Sequence, residues 1–102
     1  MKKVTKTVSP YSSHIADVET LGHFIRAQRT AEGLTIEQAA LSIGIAKQTL
    51  ADLEKGKSTV GIGIVLRIVS DLGLNLFVAD KQDSKAVTDF IRLRPYDTGR
   101  IK

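Results

Sequence analysis

Lys47 and Gln48 stand side by side in "AKQTLADLEK", and Asp52 follows Gln48 by four residues. On a helix, Lys47, Gln48, Ala51, Asp52 and Lys55 share one outward face, while Leu50 and Leu53 point inward. A lysine ammonium can donate to the acceptors of a guanine edge, and a glutamine amide can bind adenine through two hydrogen bonds. A carboxylate such as Asp52 can accept from a cytosine amino group or orient a neighbour. Thr49 suits a phosphate oxygen or a thymine methyl, and Ala46 opens the segment. Side chains of these types in this pattern could read base edges. Holding phosphates would fall to backbone amides and polar groups at helix starts, with Thr35, Gln38, Lys57 and Ser58 as the candidates.

Other chemistries find little footing. "KGKST" resembles the end of a phosphate-binding P-loop, but Ala51 stands where the first glycine is needed and a helix, not a strand, precedes it. "GIGIV" lacks the third glycine of a dinucleotide fingerprint. His14 and His23 have no carboxylate or cysteine at ligand spacing, so no metal site is expected. No nucleophile–base pairing suggests itself, so no catalytic residue and no cofactor are expected either.

A reading helix must be aimed, and the surrounding pattern shows how. "LGHFIRAQRTAEG" has apolar residues at 21, 24, 25, 27 and 31 and stops at Gly33, with Thr20 as its expected N-cap. Thr35 opens a second helix, and Gln38 completes a capping box three residues on. Ile36, Ala39, Ala40 and Ile43 follow at helical spacing until Gly44 ends the helix after two turns. The reading segment, Ala46 to Lys55, comes next and is stopped by Gly56. Two short helices joined by a glycine turn can cross steeply, one over a DNA backbone and the other in the major groove.

"STVGIGIVLRIVSDLG" predicts a longer helix behind a Ser58 or Thr59 cap. Ile62, Val65, Leu66, Val69 and Leu72 form its apolar stripe, with Ile64 and Ile68 to one side. That is more apolar surface than a small monomer needs, so a partner subunit is expected. "LNLFVAD" alternates Leu74, Leu76 and Val78 like a strand with no convincing mate in residues 20–79. Pairing with the same strand of a second copy would provide one. The expected dimer interface is therefore Ile64, Ile68, Leu74, Leu76, Phe77 and Val78.

With these residues in view, "LTIEQAALSIGIAKQTLADLEKG" resembles the helix-turn-helix of the Cro/cI-type (XRE) family, over roughly Leu21 to Leu72. The resemblance implies a mainly α, lambda-repressor-like fold of four to five helices, here with one C-terminal β-strand pairing across a homodimer. It implies double-stranded operator DNA with inverted-repeat symmetry as the partner. Arg29 and Glu54 match positions that form a buried ion pair in similar phage repressors. Two positions depart from the pattern: Ile36 stands where glutamine often contacts phosphate, and Ala46 where a hydroxyl is common. The long apolar helix followed at once by "GLNLFVAD", and the "SPYS" arm before "LGHFIRAQRTAEGLT", are similar to HipB-type antitoxins. That narrower resemblance implies a HipA-type serine/threonine kinase toxin as partner and repression of the chain's own operon. A stand-alone regulator and a protein-interaction module are the alternatives. The polar pair Lys47 and Gln48 argues against the last, because a protein-docking face should be more apolar.

The expected organisation is an extended N-terminal arm at 1–18, a DNA-binding and dimerisation domain at 19–79 and a mobile tail at 80–102. The net charge of +4 is spread unevenly over them. Residues 20–79 carry six basic and five acidic side chains, while residues 80–102 carry six and four and residues 1–19 carry three and two. The basic ends can hold phosphate or simply be solvated; the central domain is close to neutral. There is no cysteine, hence no disulfide or thiolate site, and "MKKVTKTVSPYSSH" lacks the apolar run of a signal peptide. A cytoplasmic, nucleoid-associated protein with no membrane partner is the expectation.

Overall fold

The computed structural model describes residues 3–8 and 12–93, and among these it contains five α-helices and no strand. Residues 1–2 and 9–11 of the expected arm and the last part of the tail, residues 94–102, lie outside the described residues.

Helix α1 spans Val18–Ala31. It starts earlier than expected, because Asp17 and not Thr20 is the N-cap: the Asp17 carboxylate accepts from the Thr20 amide at 2.7 Å. Ile25, Ala27, Arg29 and Thr30 of α1 are buried. Gly33 ends the helix at φ 74°, with the Leu34 amide donating back to the Arg29 carbonyl at 3.2 Å. Gly22 lies mid-helix, where glycine costs about 1 kcal/mol relative to alanine. Packing explains it: a Cβ there would sit 2.7 Å from the Glu54 carbonyl oxygen, and closer still to that of Leu53. The α1 backbone thus rests against the end of the helix it supports.

Helix α2 spans Ile36–Ile43, and both halves of its capping box form. The Gln38 amide donates to Thr35 Oγ1 at 3.1 Å, and the Thr35 amide donates to Gln38 Oε1 at 2.9 Å. Gly44 adopts φ 85° and passes the chain into α3, Lys47–Glu54. The backbone angle favours glycine here, and a larger residue would also displace a neighbour. A side chain would strain that φ, and a Cβ would meet the Arg67 guanidinium at 2.8 Å. Arg67, from the helix that follows α3, donates to the Ile43 carbonyl at 2.7 Å and satisfies the end of α2.

Helix α4 spans Ile62–Asp71 behind Gly61, with no side-chain cap, so neither Ser58 nor Thr59 caps it. Its phase also differs from expectation. Val65, Ile68, Val69 and Leu72 face the core, whereas Ile62 and Leu66 are 70% and 49% exposed. Ile68 is fully buried within the chain and is a core residue, not an interface residue. Two stripes share Val65, Val69 and Leu72, and apolar residues flank both. Periodicity cannot choose between them, and packing into the shared core does. Ile64 is half-buried against the same core.

Ile25, Leu50, Leu53, Ile68 and Leu72 are the largest fully buried side chains. Each contributes about 1.5–3 kcal/mol by leaving water. This core lies between α1, α2, α3 and α4, with α1 and α2 each packed on α3.

Two segments flank this body. Among the described arm residues, which have no regular structure, the Thr7 amide donates to Thr30 Oγ1 of α1 at 2.9 Å. Residues 74–80 form no strand; Leu74 packs on the core, while Phe77 and Val78 are exposed. Part of the expected tail is ordered as helix: a 3-10 turn at Lys81–Asp83 leads into α5, Ser84–Leu93, which buries no residue. Among the described residues, no helix is long and apolar enough to cross a membrane.

Candidate nucleic-acid interface

The buried half of α3 holds it in place. Leu50 and Leu53 fill the core, and Glu54 is 8% exposed at the helix end. The Glu54 carboxylate accepts from two of the three nitrogens of the Arg29 guanidinium, Nε at 2.6 Å and Nη2 at 2.9 Å. The third, Nη1, donates to the Leu34 carbonyl at 2.7 Å. One arginine therefore joins α1, the loop before α2 and the end of α3. Pairing this full offsets the desolvation penalty that a lone buried carboxylate would bear uncompensated.

The opposite half carries the polar side chains singled out by spacing. Lys47 and Gln48 occupy the first turn of α3 and are exposed. Lys47 Nζ lies 2.9 Å from Glu37 Oε2, joining the first turns of α3 and α2. Gln48 Nε2 donates to Asp52 Oδ1 at 2.8 Å, and Lys57 Nζ approaches the same oxygen at 3.4 Å. Of the two roles considered for Asp52, orienting a neighbour is the one this geometry displays. The Gln48 amide, chiefly, and then Lys57 hold the Asp52 carboxyl below its ordinary range, so it remains charged near neutral pH.

The other expected contacts divide by environment. Thr35 and Gln38 are engaged in their capping box, which leaves the hydroxyl hydrogen of one and the amide nitrogen of the other as donors. Ala46 is the exposed N-cap of α3 and offers no side-chain acceptor to the helix amides. Thr49 is half-buried, and Ser58 is exposed in the turn after α3. Gln48, Asp52 and Lys57 thus meet through direct contacts, while Lys47 pairs separately with Glu37 at the start of α2.

Glu37, Gly22 and Arg67 escaped the reading of the sequence. Gly22 had a signal, a glycine inside an otherwise good helix pattern, which usually marks a close approach. Glu37 and Arg67 had none, since their partners lie ten and twenty-four residues away and meet them only once the helices cross.

The apolar residues expected at a subunit interface are divided by the fold. Ile68 is in the core, and Ile64 and Leu74 are half-buried against it. Leu76, Phe77 and Val78 are 41%, 81% and 102% exposed, and Ile62 and Leu66 of α4 add apolar surface that spacing had placed inside.

The helix-turn-helix family profile matches residues 25–78, a span that begins inside α1 and closes on the exposed Val78. A protein of Methanothermobacter thermautotrophicus, named as an uncharacterized HTH-type transcriptional regulator, is 34% identical over 65 residues. That match covers 60% of this chain and 94% of the other.

Proposed function

The chain belongs to the helix-turn-helix family of transcriptional regulators, and from that premise we propose that it represses transcription by binding operator DNA as a homodimer. Helix α3 enters the major groove, where Lys47 and Gln48 read base edges. Thr35, Gln38, Lys57 and Ser58 position the phosphates, with Ala46 and Thr49 beside them at the start of α3. One observation carries this reading. The two side chains best suited to base edges stand exposed in the first turn of α3, while that helix's other face is locked to α1 and α2. Two such helices in a dimer would lie about 34 Å apart, so the operator would be an inverted repeat with half-sites one helical turn apart.

Exposed Leu76, Phe77 and Val78, together with Ile62 and Leu66, supply the apolar surface for the second copy. Strand pairing through residues 74–78 would satisfy backbone groups that have no ladder among the described residues. Leu76→Asp places a charge in that contact and is expected to yield monomers in sedimentation; an intact dimer would contradict the interface.

The antitoxin role is the narrower form of this proposal. It rests on the resemblance of α4 and "GLNLFVAD" to HipB-type proteins, and it predicts that the chain co-purifies with, and neutralises, a HipA-type kinase encoded beside it. Growth inhibition by that kinase unrelieved by co-expression of this chain would leave a stand-alone regulator.

Base reading is tested by selecting a duplex from a random-sequence pool with the wild-type protein and comparing it with its scrambled counterpart. Gln48→Ala should lose about 1–3 kcal/mol per half-site on the selected duplex and almost nothing on the scrambled one. Equal losses on both would mean that α3 does not read sequence.

A further inference from the structure

The two side chains best suited to base edges, Lys47 and Gln48, are each held by an acid. Asp52 holds Gln48, and Glu37 holds Lys47 from the neighbouring helix. The second contact has a feature that the first lacks, because it joins opposite charges on two separate helices at their first turns. A lysine ammonium on a four-carbon stem ordinarily finds any nearby phosphate, which rewards it regardless of sequence. Lys47 is placed differently. One of its three donors is taken at 2.9 Å by Glu37 Oε2, and two remain. The setting is also unusually neutral for a DNA-binding domain, with six basic against five acidic side chains in residues 20–79. Such a surface draws little affinity from phosphates and must depend on base contacts.

Resting on the reading of α3 as the recognition helix, we propose that Glu37 is a positioning residue that confers sequence discrimination through Lys47. The carboxylate keeps the ammonium over the first turn of α3 and cancels its charge. In a matched site the two remaining donors meet the acceptors of a guanine edge without leaving Glu37. On unmatched DNA the neutralised lysine gains nothing from phosphate. Glu37 thus suppresses non-specific binding while fixing the geometry of specific binding, two effects that operate in opposite directions on the two kinds of duplex.

The test uses the full chain, the pool-selected duplex and its scrambled counterpart, each over a range of salt. Glu37→Gln keeps the shape and removes the charge. It should tighten binding to the scrambled duplex by about 3–10-fold and steepen the salt dependence there by about one unit of log–log slope per subunit, as Lys47 becomes free to engage phosphate. On the selected duplex affinity should stay level or weaken by up to about fivefold, the range of an exposed ion pair. In a Lys47→Met background the same substitution should leave both the slope and the discrimination unchanged. Parallel tightening on both duplexes, no change on either, or an undiminished effect without Lys47 would overturn the proposal while leaving α3 as the reading helix. Wild-type protein that enriches no sequence from the pool would overturn the reading of α3 itself, and this proposal with it.

Discussion

Two ion pairs anchor α3, one on each side. Arg29 and Glu54 meet with side chains 7% and 5% exposed; Lys47 and Glu37 meet with side chains 60% and 45% exposed. Both link α3 to another helix, and both are short. Solvent separates their consequences. The inner pair sits where an unpartnered charge has no water to turn to, so each member is bound to the other and to the fold. In the outer pair, water can replace either partner, so the fold gains little and the pair is available to regulate what the helix touches. The same bond is architectural on one face of α3 and functional on the other.

The sharpest way to break that contrast is to remove one inner partner. Glu54→Ala leaves the Arg29 guanidinium buried with only the Leu34 carbonyl. It should cost about 3–5 kcal/mol in urea unfolding, enough to unfold much of a domain this small. A loss below about 1 kcal/mol would mean that water reaches the site and that the two pairs are alike. Gly22→Ala comes next, because the added Cβ strikes the backbone carbonyls of Leu53 and Glu54. Although alanine is the better helix former, a net loss of about 1–3 kcal/mol is expected; a gain would show that α1 and α3 can move apart freely. On the outer side, Glu37→Gln should alter stability by no more than about 0.5 kcal/mol, whatever it does to DNA binding.

The smallest effect is a matter of pH. The Thr20 backbone amide, chiefly, lowers the pKa of the Asp17 carboxyl below its ordinary value. A group depressed in the folded state contributes stability above its unfolded pKa of about 4 and loses that contribution as the pH falls through the lower folded value. Stability measured from pH 6 downward should therefore fall less steeply in Asp17→Asn than in the wild type. Identical profiles would mean that the cap holds equally well when protonated.

Features that depend on neighbours in the chain could be read directly from the sequence. The capping box of Thr35 and Gln38, the glycine turns at 33, 44 and 56 and the inward leucines of α3 all act over a few residues, within reach of spacing rules. Helix α4 resists because it is apolar on more than one side and its phase is set only by the core it meets; hence spacing alone puts Ile68 at the surface and Leu66 inside, the reverse of the fold. Its start resists for another reason: Gly61 has no side chain by which to announce a cap. In α1, Asp17 and Thr20 are both capping types one turn apart, and the earlier one serves. Helix α5 was obscured by the charges mixed among Val87, Phe90 and Leu93, and it buries none of them. Arg29 and Glu54 could be paired only through a family resemblance, since twenty-five residues separate them.

The central claim is that the exposed face of α3 reads sequence, and Gln48 tests it best because it carries no charge. The decisive measurement is the affinity of wild type and Gln48→Ala for the pool-selected duplex and its scrambled counterpart at two salt concentrations. The expected result is a loss of roughly 5- to 150-fold per half-site on the selected duplex, little change on the scrambled one and the same salt slope for both proteins. Equal affinities of the two proteins for the selected duplex would contradict it.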